Sequence, residues 1–260
     1  MTHPDARLRQ AALPAVQRLH ILTVNTHKGF TPFNRRFILP ELREAVRTLS
    51  TDLVFLQEVH GTHEHHAARL SNWPPTPQYE FLADSMWPEY AYGRNAVYPH
   101  GDHGNALLSK FPILAFDNHD VSIGRHEQRG LLHSELDVPG PREVHAICVH
   151  LGLREGHRRR QLKLLCRLLE GLPKDAAVIV AGDFNDWRLR ADQLLARCGL
   201  EEVFTRAQGT PAKSFPARHP LLRLDRIYLR NATGHDPQVL SHRPWSHLSD
   251  HAPLAVEVRL

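Results

Sequence analysis

The chain has 260 residues, of which 42% are hydrophobic and 23% charged, and its formal net charge is +4 with neutral histidines. This length suits one large domain, and the apolar content is enough for a sizeable core. The apolar runs are no longer than a strand, so the sequence predicts no transmembrane segment. A mildly basic surface fits an anionic substrate without identifying one.

Residues 1–18 are polar and charged and lack the apolar stretch of a secretion signal. We predict that they form a poorly ordered extension and that residues 19–260 form a single domain. Cys148, Cys166 and Cys198 are odd in number and widely spaced, which is typical of reduced thiols rather than of a disulfide framework. We therefore expect three free cysteines in a cytoplasmic protein, and we infer no obligate protein partner.

Apolar periodicity predicts strands interspersed with amphipathic helices. The predicted strands cover residues 20–26, 53–58, 103–109, 131–138, 144–151, 178–185, 224–229 and 254–258. One predicted helix begins at Pro40, and two others cover residues 155–171 and 191–198. Residues 72–103 are rich in proline and aromatic residues and predict a long ordered loop with short strands.

Polar residues stand where several of these strands end. Asp183 and Asn185 project to the same side of one strand, at a carboxyl end of the kind where α/β sheets bind ligands. Asn25, Glu58 and His150 end three other strands. A carboxylate beside a neutral amide suits the attack of water on phosphorus, although each residue taken alone also fits an ordinary turn or an exposed strand end.

Asp225 shares a strand face with Ile227 and Leu229, so its charge needs a partner. His251, just before the last predicted strand, is the candidate. An Asp that orients a His and supports its positive form is a recurring catalytic arrangement. The sequence therefore predicts a buried pair of Asp225 and His251.

Two other groups of side chains have less specific patterns. Arg129 directly precedes a predicted strand, where it either meets a phosphate or caps the sheet edge. His63, His65 and His66 lack a clear shared-face pair with further ligands, so we assign them to a solvated helix face rather than to a zinc site.

Six short motifs follow one another along nearly the whole chain. They are Asn25, Gln57-Glu58, Val149-His150-Leu151, Gly182-Asp183-Phe184-Asn185, Leu224-Asp225-Arg226-Ile227-Tyr228 and Ser249-Asp250-His251. In this order they resemble the endonuclease/exonuclease/phosphatase (DNase I-like) superfamily. The resemblance implies an α/β fold, a four-layer sandwich of two packed mixed β-sheets flanked by helices, with the site in the loops at the strand ends.

The resemblance also implies which residues bind metal and phosphate. Glu58 would hold a divalent metal, with Asn25 beside it and Asp250 in support. Carboxylate, amide and water ligands suit the hard cations Mg²⁺ and Mn²⁺. Asn25, Asn185 and Arg129 would contact the substrate phosphate.

The catalytic residues are implied in the same way. Asp183 and Asn185 would position the attacking water and the scissile phosphate. His251, oriented by Asp225, would be the base or the partner that stabilises the phosphate. His150 would serve as an acid or as a phosphate ligand.

Departures from two branches of the superfamily narrow the resemblance. Apurinic-site endonucleases lack the element that Val149-His150-Leu151 supplies here. Inositol polyphosphate 5-phosphatases usually have a Trp before the Gly-Asp and a Trp-Cys before the Asp-Arg, where this chain has Ala181 and Arg223-Leu224. The remaining likeness is to a broad group of uncharacterised bacterial hydrolases, whose motifs specify no natural substrate.

We therefore predict a metal-dependent hydrolase that cleaves phosphodiesters in nucleic acid or in a lipid head group. A phosphomonoesterase acting on a soluble or lipid phosphate is the alternative, and a catalytically silent binding module is a third hypothesis. Binding weakened by salt would indicate nucleic acid. Trp73, Trp87 and Trp245 are candidates for the aromatic rim of a lipid enzyme.

Overall fold

A computed structural model of the protein describes residues 17–124, 127–140 and 142–260. The predicted extension, residues 1–18, lies outside these ranges except for Gln17 and Arg18, and Arg18 already opens the first strand. The strands are β1 (Arg18–Asn25), β2 (Leu53–His63), β3 (Glu89–Tyr98), β4 (Gly101–Ser109), β5 (Ile113–Asp120), β6 (Gly130–Leu136), β7 (Val144–His150), β8 (Ala177–Asp183), β9 (Glu201–Glu202), β10 (Asp225–Arg230), β11 (Thr233–Val239) and β12 (Leu254–Arg259). The helices are α1 (Leu39–Thr48), α2 (Glu64–Arg69), α3 (Gln78–Ala83), α4 (Glu155–Gly171), α5 (Ala191–Ala196) and α6 (Val203–Gln208).

The described strands form two six-stranded sheets. The strand order is β11-β12-β1-β2-β4-β3 in the first sheet and β5-β6-β7-β8-β10-β9 in the second. The pairs β1–β2 and β7–β8 are parallel, and α1 and α4 form the respective crossovers between their strands. Antiparallel partners flank these pairs, so both sheets are mixed.

Apolar clusters bind these elements into four layers. The inner cluster lies between the sheets and includes Ile21 and Phe55 from the first sheet and Ile179 and Ile227 from the second. The outer face of the first sheet packs on α1 and α3, and the outer face of the second packs on α4 and α5. The predicted four-layer α/β sandwich is confirmed.

The prediction of a long ordered loop with short strands over residues 72–103 underestimates the regular structure there. This stretch contains α3, β3 and the beginning of β4. β3 is an edge strand whose buried positions are the small residues Ala91 and Gly93. β5 and β11, which the sequence pattern also missed, are edge strands as well. An edge strand exposes many side chains, so it lacks the apolar alternation that reveals a half-buried strand.

The prediction of three reduced thiols is wrong for two of the cysteines. Cys166 on α4 and Cys198, just beyond α5, form a disulfide with their Cα atoms 5.6 Å apart. Their sequence separation of 32 gave no local signal, because the pair forms only where α4 and α5 share one apolar cluster. Cys148 is a free and buried thiol. A cytoplasmic location stays a prediction, now without its argument from reduced thiols.

Two of the three tryptophans predicted to form the aromatic rim of a lipid enzyme are buried and cannot supply it. Trp87 is fully buried and donates its indole N–H to the Thr51 carbonyl oxygen at 2.9 Å. Trp245 is also buried, and Trp73 stacks on Phe37 with ring centroids 4.9 Å apart. Among the described residues, no helix is both long and apolar enough to cross a membrane.

Candidate active site

Strand register places three predicted site residues side by side on the second sheet. His150 ends β7, Asp183 ends β8 and Asp225 begins β10. The register pairs Asp183 with His150 on one side and with Asp225 on the other. The parallel pair β7–β8 and the antiparallel strand β10 therefore bring these side chains together at one edge of the sheet.

The first sheet contributes to the same place. Asn25 ends β1, and its side-chain Nδ2 donates a hydrogen bond to Asp183 Oδ2 at 3.3 Å, which joins the edges of the two sheets. Ser249 Oγ donates to the Asn25 carbonyl oxygen at 2.6 Å. The segment that precedes β12, and carries His251, is thereby held against the end of β1.

The backbone of the site adopts conformations that are uncommon outside glycine. The φ angle is 55° at Glu58 and 50° at Asn185. Such left-handed residues tend to cluster at functional sites, where the surrounding structure holds them. Gly182 has a φ of 144°, and a Cβ there would lie 2.0 Å from the Val149 carbonyl oxygen. Only glycine therefore allows β8 to approach β7 beside the site.

Hydrogen bonds hold Asn185 beside the Asp183 carboxylate. The Asn185 backbone N–H donates to Asp183 Oδ1 at 2.8 Å, and its side-chain Nδ2 donates to the Leu151 carbonyl oxygen at 2.9 Å. Both Asp183 oxygens thus accept a hydrogen bond, because Asn25 occupies Oδ2. The carboxylate and the amide that the sequence predicted on one side of the strand are fixed in place before any ligand binds.

His251 lies between two buried carboxylates. Its Nδ1 is 2.8 Å from Asp225 Oδ2, and its Nε2 is 3.9 Å from Asp183 Oδ2. Burial by itself lowers the pKa of an imidazole, but Asp225 and Asp183 outweigh it and raise the pKa of His251 to about 10. The predicted pair of Asp225 and His251 is confirmed, and the imidazole is positively charged at neutral pH.

His150 approaches the same carboxylate as a neutral imidazole. Its Nε2 is 3.6 Å from Asp183 Oδ2. Burial, together with the charge of Arg129, holds the pKa of His150 well below its ordinary value. Burial also raises the pKa of Asp183 to about 7, against the opposing charge of His251. Asp183 is therefore flanked by one neutral and one charged imidazole.

Glu58 and Asp250 face two basic side chains. Lys28 Nζ is 3.1 Å from Glu58 Oε2, and His27 Nδ1 is 3.3 Å from Asp250 Oδ2 and 4.0 Å from Glu58 Oε2. Burial favours the neutral acid, but the basic surroundings of the carboxylate, with the charge and the hydrogen bond of Lys28 among them, hold the pKa of Glu58 well below its ordinary value. Glu58 is therefore ionised throughout the physiological pH range.

Sequence reasoning missed His27 and Lys28 as members of the site. They lie in a 3-10 turn directly after β1, with φ angles of 46° and 58°. A usable signal was present, because the basic pair stands between the site residue Asn25 and Gly29, a glycine typical of a tight turn. The turn aims both basic side chains back at the carboxylates.

The donor atoms at this part of the site fit a hard divalent cation. The residues predicted to hold the metal carry two carboxylates and one amide oxygen, the donors that Mg²⁺ and Mn²⁺ prefer: Glu58, Asp250 and Asn25. The ammonium group of Lys28 beside Glu58 supplies positive charge where such a cation would supply it. A second set of ligand atoms within 4.8 Å of one another could also bind a metal, and it consists of Asp183, Asp225 and His251.

Arg129 is bound to the backbone of the site. Its Nε donates to the Leu151 carbonyl oxygen at 3.2 Å, and its Nη1 donates to the Gln128 carbonyl oxygen at 3.1 Å. The Leu151 oxygen also accepts from Asn185, so Arg129 and Asn185 share one anchor. A direct contact of Arg129 with a phosphate stays a prediction.

A family model extends over nearly the whole chain. The Endonuclease/Exonuclease/phosphatase family matches residues 22–251. The chain belongs to this family. The predicted superfamily is confirmed, and the matched range runs from within β1 to His251, so it includes every residue of the site described above. Membership implies phosphoesterase activity.

Two relatives and two solved structures are similar to this chain. The uncharacterized protein YbhP of Escherichia coli strain K12 is 57% identical over 242 residues, which cover 92% of this chain and 96% of YbhP, and YbhP of Shigella flexneri matches equally well. An endonuclease/exonuclease/phosphatase from Beutenbergia cavernae has a TM-score of 0.73 at 20% identity, over 94% of this chain and 72% of that chain. TDP2 of D. rerio, in complex with single strand DNA product, has a TM-score of 0.68 at 18% identity, over 94% and 99%. At these identities the two structures show a shared fold.

Proposed function

We propose that the protein is a divalent-metal-dependent phosphodiesterase that activates a water molecule at Asp183. The observation that carries this proposal is the arrangement of two imidazoles around one buried carboxylate: His150 Nε2 and His251 Nε2 lie 3.6 Å and 3.9 Å from Asp183 Oδ2. Family membership supports phosphoester hydrolysis in general. The finer proposal rests on the charges of these side chains.

Asp183 is suited to accept a proton from the attacking water. A general base works best when its pKa lies near the working pH, and burial raises the pKa of Asp183 to about 7. The hydrogen bonds from Asn25 and Asn185 fix the direction of its lone pairs. The base is therefore held in position before the substrate reacts.

His251 is suited to stabilise negative charge on the phosphate. Its pKa of about 10 keeps it positive at neutral pH, which supports the phosphate-stabilising role over the role of base. Asp225 orients the ring through Nδ1 and leaves Nε2 directed toward Asp183. His150, held neutral, is suited to donate a hydrogen bond to a phosphate oxygen.

A divalent cation, when bound, supplies charge stabilisation at the phosphate oxygens and lowers the pKa of a bound water. Glu58 and Asp250, with Asn25, are the residues that we propose to hold it. Their oxygen donors favour Mg²⁺ or Mn²⁺.

The proposal favours phosphodiesters over phosphomonoesters. Its support is that D. rerio TDP2, whose fold is similar, is in complex with single strand DNA product, and the backbone of DNA is a phosphodiester.

Nucleic acid is the substrate class with the most support. The similar fold of D. rerio TDP2 holds a single strand DNA product. In this chain the Phe33 ring is 85% exposed, and the Arg35 guanidinium lies 5.5 Å from its centroid. An exposed aromatic ring beside basic groups is typical of surfaces on which unpaired bases stack.

The decisive experiment is a substrate panel assayed with Mg²⁺, with Mn²⁺ and with EDTA. The panel contains a bis-aryl phosphate, an aryl monophosphate, single-stranded DNA, RNA and phospholipid vesicles. We expect metal-dependent turnover of diesters, a higher kcat/KM for the bis-aryl phosphate than for the monophosphate, and loss of both activities in Asp183→Asn. Undiminished turnover in EDTA, or a clear preference for the monoester, would contradict the proposal, and hydrolysis of vesicles alone would replace nucleic acid with lipid.

A further inference from the structure

A cluster of imidazoles lies on the first sheet and takes no part in the site described above. His60 and His63 belong to β2, and His66 belongs to α2. One potential ligand atom from each of the three lies within 4.8 Å of the others. The ring centroids of His63 and His66 are 3.8 Å apart, and those of His60 and His63 are 4.9 Å apart. The spacing of His63, His65 and His66 did not reveal this cluster, because its third member is His60, which lies farther back along β2.

The protonation of His60 leaves one buried nitrogen without a partner. Its Nδ1 lies 3.1 Å from both the Asp102 carbonyl oxygen and the Tyr98 hydroxyl. The carbonyl oxygen can only accept and the hydroxyl can also accept, so a proton on Nδ1 satisfies both contacts. The Nε2 atom therefore has a free lone pair, and it is buried without any hydrogen bond while the residue is only 2% exposed. Metal-binding histidines usually donate one ring N–H to a carbonyl or carboxylate oxygen and bind the metal through the other ring nitrogen.

His63 and His66 are half-buried at the open side of the cluster. Burial lowers the pKa of both imidazoles, which favours the neutral form that binds metals. His63 Nδ1 now accepts a long hydrogen bond, 3.2 Å, from the His66 backbone N–H at the start of α2. This lone pair cannot serve both partners, so a metal bound at Nδ1 would displace that bond.

We propose that His60, His63 and His66 form a second metal site, selective for a transition-metal cation such as Zn²⁺. Imidazole nitrogen binds Zn²⁺, Co²⁺ and Ni²⁺ well, whereas Mg²⁺ prefers oxygen. The three nitrogens must draw in until each lies about 2.0–2.1 Å from the ion, and rotation of the half-buried side chains allows this. Three protein ligands leave a fourth position open for water or an anionic ligand.

The imidazole cluster is connected to the catalytic site through one buried side chain. The His60 backbone N–H donates to Gln78 Oε1 at 3.1 Å, and Gln78 Nε2 donates to the Lys28 carbonyl oxygen at 3.0 Å. Lys28 in turn contacts Glu58, which precedes His60 by two residues on β2. The two sites therefore adjoin along one strand but use different side chains and favour different metals.

The proposal is tested on protein without a polyhistidine tag, stripped with EDTA. Glu58→Gln and Asp183→Asn are introduced together, so that the catalytic carboxylates cannot account for binding. Titration with Co²⁺, followed by visible absorption, and with Zn²⁺, followed by calorimetry, should show one site that excess Mg²⁺ does not displace. In this background we compare His66→Ala and His63→Asn, which keeps an N-cap acceptor for α2, with His65→Ala as the matched control.

We expect His66→Ala and His63→Asn each to weaken Zn²⁺ binding by about tenfold or more, and His65→Ala to leave it unchanged. His65 is exposed and stacks on His100 outside the cluster, so it controls for the general loss of an imidazole from α2. Absence of Zn²⁺ binding in the background protein would overturn the proposal, as would equal weakening by all three substitutions. Circular dichroism of each variant establishes that a loss of binding is not a loss of fold.

Discussion

The two halves of the candidate active site hold their charges in different ways. On the second sheet, Asp183 and Asp225 are buried and have permanent partners. Asn185 donates to Asp183, and His251 lies beside both carboxylates. On the first sheet, Glu58 and Asp250 are partly exposed and contact the side chains of a short turn. One half is preorganised by the core of the fold, and the other contacts basic side chains of a turn that can move away.

This difference indicates when the charged partners of each half are put in place. A buried carboxylate is costly unless it is paired, so the second-sheet half must be complete when the protein folds. In the partly exposed half, a metal cation can replace Lys28 beside Glu58. Solvent screens the Glu58 carboxylate after Lys28 has moved away and before the metal binds. The comparison therefore predicts that substitutions within the buried half have strongly non-additive effects. In the open half it predicts that a metal cation replaces Lys28 beside Glu58.

The largest effect is expected for Glu58→Gln in the open half. This change removes the carboxylate that we propose to hold the metal, while the size of the side chain is kept. A bound metal contributes several kcal/mol to catalysis, so kcat/KM for a diester should fall on the order of 10³-fold. Steady-state kinetics at saturating Mg²⁺ measures the loss. Wild-type activity in this variant would show that Glu58 is not a metal ligand.

Asp225→Asn tests the buried half. The substitution keeps the shape but removes the charge that raises the pKa of His251. We expect a rate loss on the order of 10²-fold, the scale of a lost donor that stabilises transition-state charge, together with a lower pKa of His251 measured by NMR on metal-free protein. The double variant Asp225→Asn, His251→Ala should be little slower than His251→Ala, because residues that act as a unit are non-additive. If the two single losses multiply in the double variant, the two residues act independently and the prediction is wrong.

The imidazolium of His251 should also stabilise the fold in a pH-dependent way. Its pKa is raised from 6.5 to about 10, so its contribution is fully present below pH 6.5 and is lost as the pH rises through about 10. In EDTA, wild type should exceed His251→Gln in free energy of unfolding by roughly 1–3 kcal/mol at pH 6.5. Urea denaturation at several pH values measures this difference. A difference that grows toward pH 10 has the wrong sign for a charged His251.

The smallest effect is expected for Lys28→Met, which sharpens the contrast between the halves. Lys28 competes with a metal for Glu58, and a partly exposed ion pair contributes about 0.2–1 kcal/mol. Mg²⁺ affinity should therefore rise by about 1.4- to 5-fold. Calorimetry on EDTA-stripped wild type and variant compares the two, with Lys110→Met, whose partner is Asp52, as the control. Weaker Mg²⁺ binding in Lys28→Met would mean that Lys28 supports the metal site.

Local pattern in the sequence determined the central strands, the long helices and one buried side-chain contact. The inner strands bury nearly every residue, so their apolar periodicity is strong and β7, β8 and β10 were predicted within a few residues. Asp225 on an apolar strand face required a partner, and His251 is that partner. Such conclusions hold because burial constrains each residue through its immediate neighbours.

Only the tertiary structure decided the remaining features. The edge strands β3, β5 and β11 have weak patterns because their side chains face solvent, and their pairing comes from the neighbouring strand. The disulfide between Cys166 and Cys198, the contact of Lys28 with Glu58 and the addition of His60 to the imidazole cluster each join residues on different elements. These contacts depend on how the layers and turns pack in three dimensions. The spacing of two residues along the chain does not determine their distance in space.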